Sequence, residues 1–171
     1  GQHDGIHDVL SVSTAGALIR RDIFEELGGF DSNLSLFRDD IDFGWRARVA
    51  GHGVIATTAA VAHHAQASAS ERRSVDVNGA FLHRPLLLDR RNAAYVLLAN
   101  SSWWMIPWLS IQLLGSAMAR SIGYLLAKLP GYAADELLAV ATLIVKPAEI
   151  VKARKFRKSK RLVSARVISS Y

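Results

Sequence analysis

Three carboxylates fall within four positions of the stretch FRDDIDFGWRARVAGH: Asp39, Asp40 and Asp42, with Arg46 and Arg48 close behind. Acids this close repel one another unless something offsets their charge. A helix start is one answer, because the positive end of the helix dipole favours acids in the first turn. Calcium is a second. Asp31, Asn33, Ser35 and Asp42 stand at positions 1, 3, 5 and 12 of an EF-hand-like loop, but Leu36 occupies the required glycine position and the last ligand is not a bidentate Glu. The third is proton transfer: of two adjacent carboxylates, one is oriented by backbone N–H groups while the other faces a substrate hydroxyl as general base. Composition alone leaves the helix start and the base both open.

The elements that must hold these acids follow from periodicity. Ile41, Trp45 and Val49 recur at four-residue steps, which predicts a helix ended by Gly51 or Gly53, with the acids in its first turn. RRDIFEELGGF reads as a shorter helix. Ile23, Phe24 and Leu27 form one apolar face, and Gly28-Gly29 suit a left-handed C-terminal cap. DVLSVST alternates apolar residues as a strand does. GVIATTAAVAHHA reads as a strand pair or a strand and turn, with His63 and His64 at its end.

The chain of 171 residues is long enough for one ordinary domain. Its opening, GQHDGIHDVLSVSTAG, lacks an initiator Met and reads as the interior of a longer protein. With no cysteine, a disulfide frame and a cysteine-based metal site are both excluded. The net charge of +6 is uneven: nine acids against three arginines leave −6 over residues 1–42, and nine Lys or Arg against one Glu leave +8 over residues 146–171. An acidic front suits catalysis or a cation, and a basic end suits phosphate or an anionic membrane surface.

Between them, Ala93 to Ala119 are 27 residues without a charge. Roughly 20 suffice to cross a bilayer as a helix. Trp103, Trp104 and Trp108 cluster there around Pro107, which suits a membrane interface. Arg120 and Lys128 make a two-span hairpin costly. YAADELLAVATLIV, residues 132–145, is short and acidic at one end, which fits an interfacial or packed helix. The tail has only Phe156 as an interleaved aromatic before residue 171, so anionic lipid is favoured over nucleic acid as its partner.

Taken in order, RRDIFEELGGFD, FRDDIDFGWRARVAGH and AAVAHH resemble the second half of the catalytic domain of family 2 glycosyltransferases, of the GT-A fold. With the later RRNAAYVLLAN they are similar to the large membrane-attached actinobacterial type. The resemblance covers residues 11 to about 67. It implies an inverting sugar transfer from a nucleotide-sugar donor to a lipid-linked or cell-envelope glycan acceptor, with Asp40 as general base. It also implies acceptor contacts at Asp39, where the family usually has Glu, and at Trp45. Thr14, Ala15 and Gly16 would lie near the donor sugar. Asp42 paired with Arg46, Gly29 and Asp31 would be structural. His64 would help bind Mg2+ or Mn2+, whose main ligands and nucleotide pocket belong to a preceding half, so the fragment alone is expected to be inactive. Strand alternation lets only one of His63 and His64 face the site.

The expected architecture is therefore α/β, a partial GT-A-like unit followed by a mainly α-helical membrane-associated region. Residues 1–68 form the acceptor-side catalytic part, 69–92 a connector, 93–145 transmembrane or interfacial helices, and 146–171 a basic juxtamembrane tail. The catalytic part is expected at the cytoplasmic side of the cell membrane. A non-enzymatic alternative is an inactive membrane-surface adaptor whose basic tail binds anionic lipid.

Overall fold

A computed structural model describes residues 5–61, 63, 84–164 and 168. Strands β1 (Ile6–Asp8) and β2 (Ile55–Thr57) pair antiparallel, with His7 opposite Ala56. Helices α1 (Arg21–Glu26) and α2 (Asp39–Val49) lie between them in sequence. Helices α3 (Pro85–Asn100), α4 (Ile106–Leu126), α5 (Pro130–Val145) and α6 (Pro147–Lys160) follow. Single 3-10 turns cover Thr14–Gly16 and Trp103–Met105. The described fold is thus mostly helical, and its one two-stranded sheet is smaller than an α/β reading requires.

The local expectations for α1 and α2 hold. Gly28 and Gly29 both take positive φ and close α1 through Gly28 N–H to Glu25 O (3.1 Å) and Gly29 N–H to Phe24 O (2.8 Å). Gly51, at φ +87°, follows the end of α2. β2 is a strand followed by a turn.

The strand expected over DVLSVST is not formed beyond Asp8. Val9 still donates to Val54 O at 3.0 Å, and the chain then crosses α2. A Cβ on Gly44 would lie 2.4 Å from Leu10 O and 2.6 Å from Ser11 Cβ, so only glycine admits this crossing. The Arg48 guanidinium takes over part of what a neighbouring strand would do, donating to Val9 O (2.8 Å) and to Asp8 Oδ1 (2.8 Å).

The uncharged run from Ala93 to Ala119 is not one helix. It contains the end of α3, a break at Ser101 and Ser102, the Trp103–Met105 turn and the first part of α4. All four prolines open helices, at the first turn of α3, α4, α5 and α6, where a missing N–H costs little. Among the described residues no helix is long and apolar enough to cross a membrane, so the transmembrane expectation for residues 93–145 is not upheld. Lys128 is exposed, but Arg120, Asp135 and Glu136, which also break the apolar pattern, are used inside the protein. Glu136 of α5 is buried and accepts from Arg90 Nε of α3 and Arg120 Nε of α4, each at 2.8 Å. Arg84 pairs with Asp135 beside it. Of the expected connector, residues 85–92 are the first half of α3, and 69–83 lie outside the described residues.

Two apolar clusters hold the parts together. Leu27, Phe43, Ala47 and Ala50 pack with Ile23 and Phe24 beneath α1 and α2. Phe24, Phe30 and Phe43 meet there at ring distances of 5.3–5.5 Å. The second cluster joins Leu34 to Tyr95, Leu98 and Ala99 of α3, Leu109 of α4 and Leu143 of α5. The basic tail is not free of this core. Helix α6 packs on α3 with Arg157 buried, while Lys146, Lys152, Lys155 and Lys158 face solvent. Past α6, Leu162 N–H and Val163 N–H both donate to Val49 O, the last residue of α2.

Candidate functional site

Asp40 lies in the first turn of α2, half-buried, and lines a cleft of about 180 Å³. Phe43, Gly44 and Ala47 of the same helix line that cleft because they follow Asp40 at helical spacing. Val12, Thr14, Leu18, Ile19, His52 and Val54 also line it. Asp40 Oδ1 accepts from Ile41 N–H at 2.7 Å. One carboxylate oxygen is therefore oriented by the backbone, as a positioned base requires.

The turn before the acids is conformationally unusual. Phe37 (φ 63°) and Arg38 (φ 67°) are both left-handed without being glycine. Such positions cost on the order of 1–3 kcal/mol each and persist only when neighbours hold them. Helix α3 supplies the hold. Asp89 accepts a bidentate pair from Arg38, Nε to Oδ1 at 2.8 Å and Nη2 to Oδ2 at 3.1 Å. Asn92 donates its amide to Leu36 O and to Phe37 O. The Asp89 hydrogen bond, and after it the nearby charges of Asp89 and Asp40, raise the Arg38 pKa against the effect of burial. The turn that leads into Asp39 and Asp40 is thus held by α3.

Asp42 points away from the cleft and is 0% exposed. Its Oδ2 accepts from Arg46 Nε at 2.7 Å, and its Oδ1 from Asn100 Nδ2 at 2.8 Å and Arg157 Nη2 at 2.7 Å. Arg46 continues inward to the carbonyls of Leu27 and Gly29, each at 2.8 Å, and so fixes the end of α1. Arg157 also donates to Asp31 Oδ2 at 2.8 Å and lies 5.5 Å from the Tyr95 ring centre. Asp31 accepts from Asn33 N–H and from the Tyr95 hydroxyl, at 2.9 and 2.8 Å. The acidic front and the basic end of the chain therefore meet in one buried network.

This network shifts its members. Burial alone would raise Asp31. The Asn33 N–H, the Tyr95 hydroxyl and the Arg157 charge outweigh it and hold the carboxyl below its usual range. Burial, then the hydrogen bond to Asp31, pushes Tyr95 from 10.0 up to about 12. A raised folded-state pKa means that stability is complete below the unfolded value and is lost as pH rises through the folded one. The protein should therefore lose the Tyr95 contribution between pH 10 and about 12. Tyrosinate absorbance should show one late-ionising group that Tyr95→Phe removes. Ionisation of every tyrosine at the ordinary value would contradict the buried hydroxyl.

The remaining sequence-predicted residues divide. Thr14 lines the cleft with Asp40, and Ala15 and Gly16 complete the same exposed turn. Asp39 is half-buried beside Asp40 but does not line the cleft. Trp45 packs into the α3 cluster on another face of α2, so the structure does not bring it together with Asp40. His64 lies outside the described residues, and His63 is exposed. Asp89, Asn92, Asn100 and Arg157 were not singled out from the sequence. The signal was present for three of them: Asp89, Asn92 and Asn100 are polar residues at helical spacing along an apolar helix. Among the described residues no group of three His, Asp or Glu side chains could hold a metal ion.

Residues 1–76 match the family described as glycosyltransferase like family 2. The O-antigen biosynthesis protein RfbC of Myxococcus xanthus is 35% identical over 69 residues, which cover 40% of this chain and 5% of that protein. The chain thus spans about 5% of the length of that curated relative. No solved structure matches it.

Proposed function

We propose that residues 1–76 are the acceptor-side part of an inverting, GT-A-type glycosyltransferase domain. In the intact protein it would move a sugar from a nucleotide-sugar donor to a lipid-linked or cell-envelope glycan. The observation that carries this reading is Asp40, which lies within the span matched to the glycosyltransferase-like family, is oriented by Ile41 N–H and lines an open cleft. In the proposed step Asp40 takes the proton of the acceptor hydroxyl as that oxygen attacks the anomeric carbon. The bond to the nucleoside diphosphate breaks on the opposite face, so the configuration inverts. Thr14, Ala15 and Gly16 flank the donor sugar in this reading, and Asp39 contacts the acceptor beside Asp40. His64, carried forward from the sequence alone, would be one ligand of a bound Mg2+ or Mn2+, which would supply positive charge beside the donor's diphosphate.

The membrane enters the same reading as an interface. Trp103 is 79% exposed and Ile111 66%, and Leu114, Met118, Ile122 and Leu125 continue an apolar stripe along α4. Such a stripe suits the headgroup boundary at the cytoplasmic side of a membrane. The test is transfer by membranes carrying the intact protein, supplied with a panel of labelled nucleotide sugars. Label should pass to an extractable lipid or envelope glycan, with its anomeric configuration opposite to the donor's. Retention of configuration, or release of free sugar only, would sink the proposal.

A further inference from the structure

A basic recess and an apolar groove meet on helix α6. The recess, about 570 Å³, lies between the end of α3, the Trp103–Trp104 turn and α6. Five cations line it, Arg154, Lys155, Arg157, Lys158 and Arg161, and no carboxylate does. Trp103 and Trp104 form its exposed rim. Arg157 is the one of these cations held by acids, Asp31 and Asp42, while the other four pair with no carboxylate among the described residues. Arg154 and Arg161 are instead directed at the end of α3, donating to Ser101 O (2.9 Å) and Asn100 O (3.0 Å). Burial, and then the charges of Arg161 and Arg157, lower the Arg154 pKa, so these cations crowd one another.

The groove, about 520 Å³, runs between α3, α4, α5 and α6. Leu98, Ile111, Leu114, Leu143, Ile144 and Val151 line it. Val151 and Arg154 line both cavities, so the apolar groove and the cationic recess adjoin at α6.

We propose that this pair of cavities binds a single-chain phosphate lipid, the phosphate in the recess and the chain along the groove. The inference deepens the lipid-borne acceptor reading above and rests on it for its role in transfer. The argument is charge and shape complementarity. A phosphate monoester carries close to two negative charges at neutral pH and several strong acceptor oxygens. Lys155 and Lys158 can meet it without breaking any contact in the fold, because both are exposed. A single hydrocarbon chain removes the groove walls from water. The tryptophan rim suits the level at which headgroup and chain divide. A single-stranded nucleic acid would use the cations and the tryptophans but leave the groove unfilled.

Direct binding to the 171-residue chain tests this without any sugar transfer. The probes are farnesyl phosphate below its micelle concentration, farnesol and inorganic phosphate. Farnesyl phosphate should bind about tenfold or more tighter than either, since both halves contribute. Lys155→Glu with Lys158→Glu should weaken it by about tenfold or more. Ile111→Glu with Ile144→Glu, both at exposed positions, should reduce it to the level of inorganic phosphate. Arg21→Gln, an exposed position on α1 that lines neither cavity, should leave binding unchanged. Equal affinity for farnesyl phosphate and inorganic phosphate would overturn the proposal. So would indifference to the groove variants, or stronger competition by a single-stranded oligonucleotide than by the lipid.

Discussion

Arg157→Ala is expected to destabilise the chain by about 3–5 kcal/mol, the usual cost of removing one partner of a buried ion pair. The reason lies in what remains. Arg157 is 5% exposed and donates through one nitrogen to both Asp31 and Asp42. Asp42 is fully buried, so without Arg157 its Oδ1 keeps only the Asn100 amide. Asp31 keeps Asn33 and Tyr95 and is less affected. Burial lowers the Arg157 pKa, and the charge of Asp42, followed by Tyr95 and Asp31, more than reverses this, so the guanidinium stays charged where it sits. Urea or thermal unfolding of the whole chain measures the loss. If Arg157→Ala does not fold at all, Arg157→Lys supplies the intermediate case: it keeps the charge but not the planar fork. A loss below about 1 kcal/mol, the range of exposed pairs, would mean that the network does not hold α6 to α2.

Why the sequence announced some of this and not the rest follows from where each interaction lives. The helices bearing the acids are legible because their signals are local: Ile41, Trp45 and Val49 share one face, and Gly28-Gly29 end the preceding helix. The Asp42–Arg46 pair is one helical turn apart, so spacing alone could suggest it. Arg157 is 115 residues from Asp42 and 126 from Asp31, and no period links them. The two charged ends looked as though they had separate tasks. Part of the task is to neutralise each other, with arginine fitted to the buried place and lysine left to the surface.

The apolar middle shows a different limit. An uncharged run of 27 residues satisfies the length criterion for a span, but length does not say where a helix breaks. Ser101 and Ser102 and the proline at the start of α4 break it here. Asn92 and Asn100 point into the protein, where their amides hold the Phe37 carbonyl and the Asp42 carboxylate. Polar residues spaced along one face of an apolar helix therefore marked a face packed on another polar element. That contact also accounts for the turn before the acids, since the left-handed Phe37 and Arg38 are fixed by Asn92 and Asp89 rather than by their own residue types.

The three acids of α2 should separate cleanly when each is changed to its amide. Asp40→Asn should lower kcat for sugar transfer in the intact protein by about 10²–10⁴-fold, the usual contribution of a positioned general base. Its unfolding midpoint should scarcely move, because an amide oxygen still accepts from Ile41 N–H and the side chain is only half-buried. Asp42→Asn should do the reverse. It removes the charge facing Arg46 and Arg157, so the fold weakens while any folded enzyme retains its base. Asp39 makes no hydrogen bond or ion pair among the described residues, so Asp39→Asn should be close to neutral for stability and raise KM for the acceptor. Unchanged kcat in Asp40→Asn would remove the base assignment. A fall in kcat matched by an equal fall in stability would place Asp40 with Asp42 as part of the scaffold.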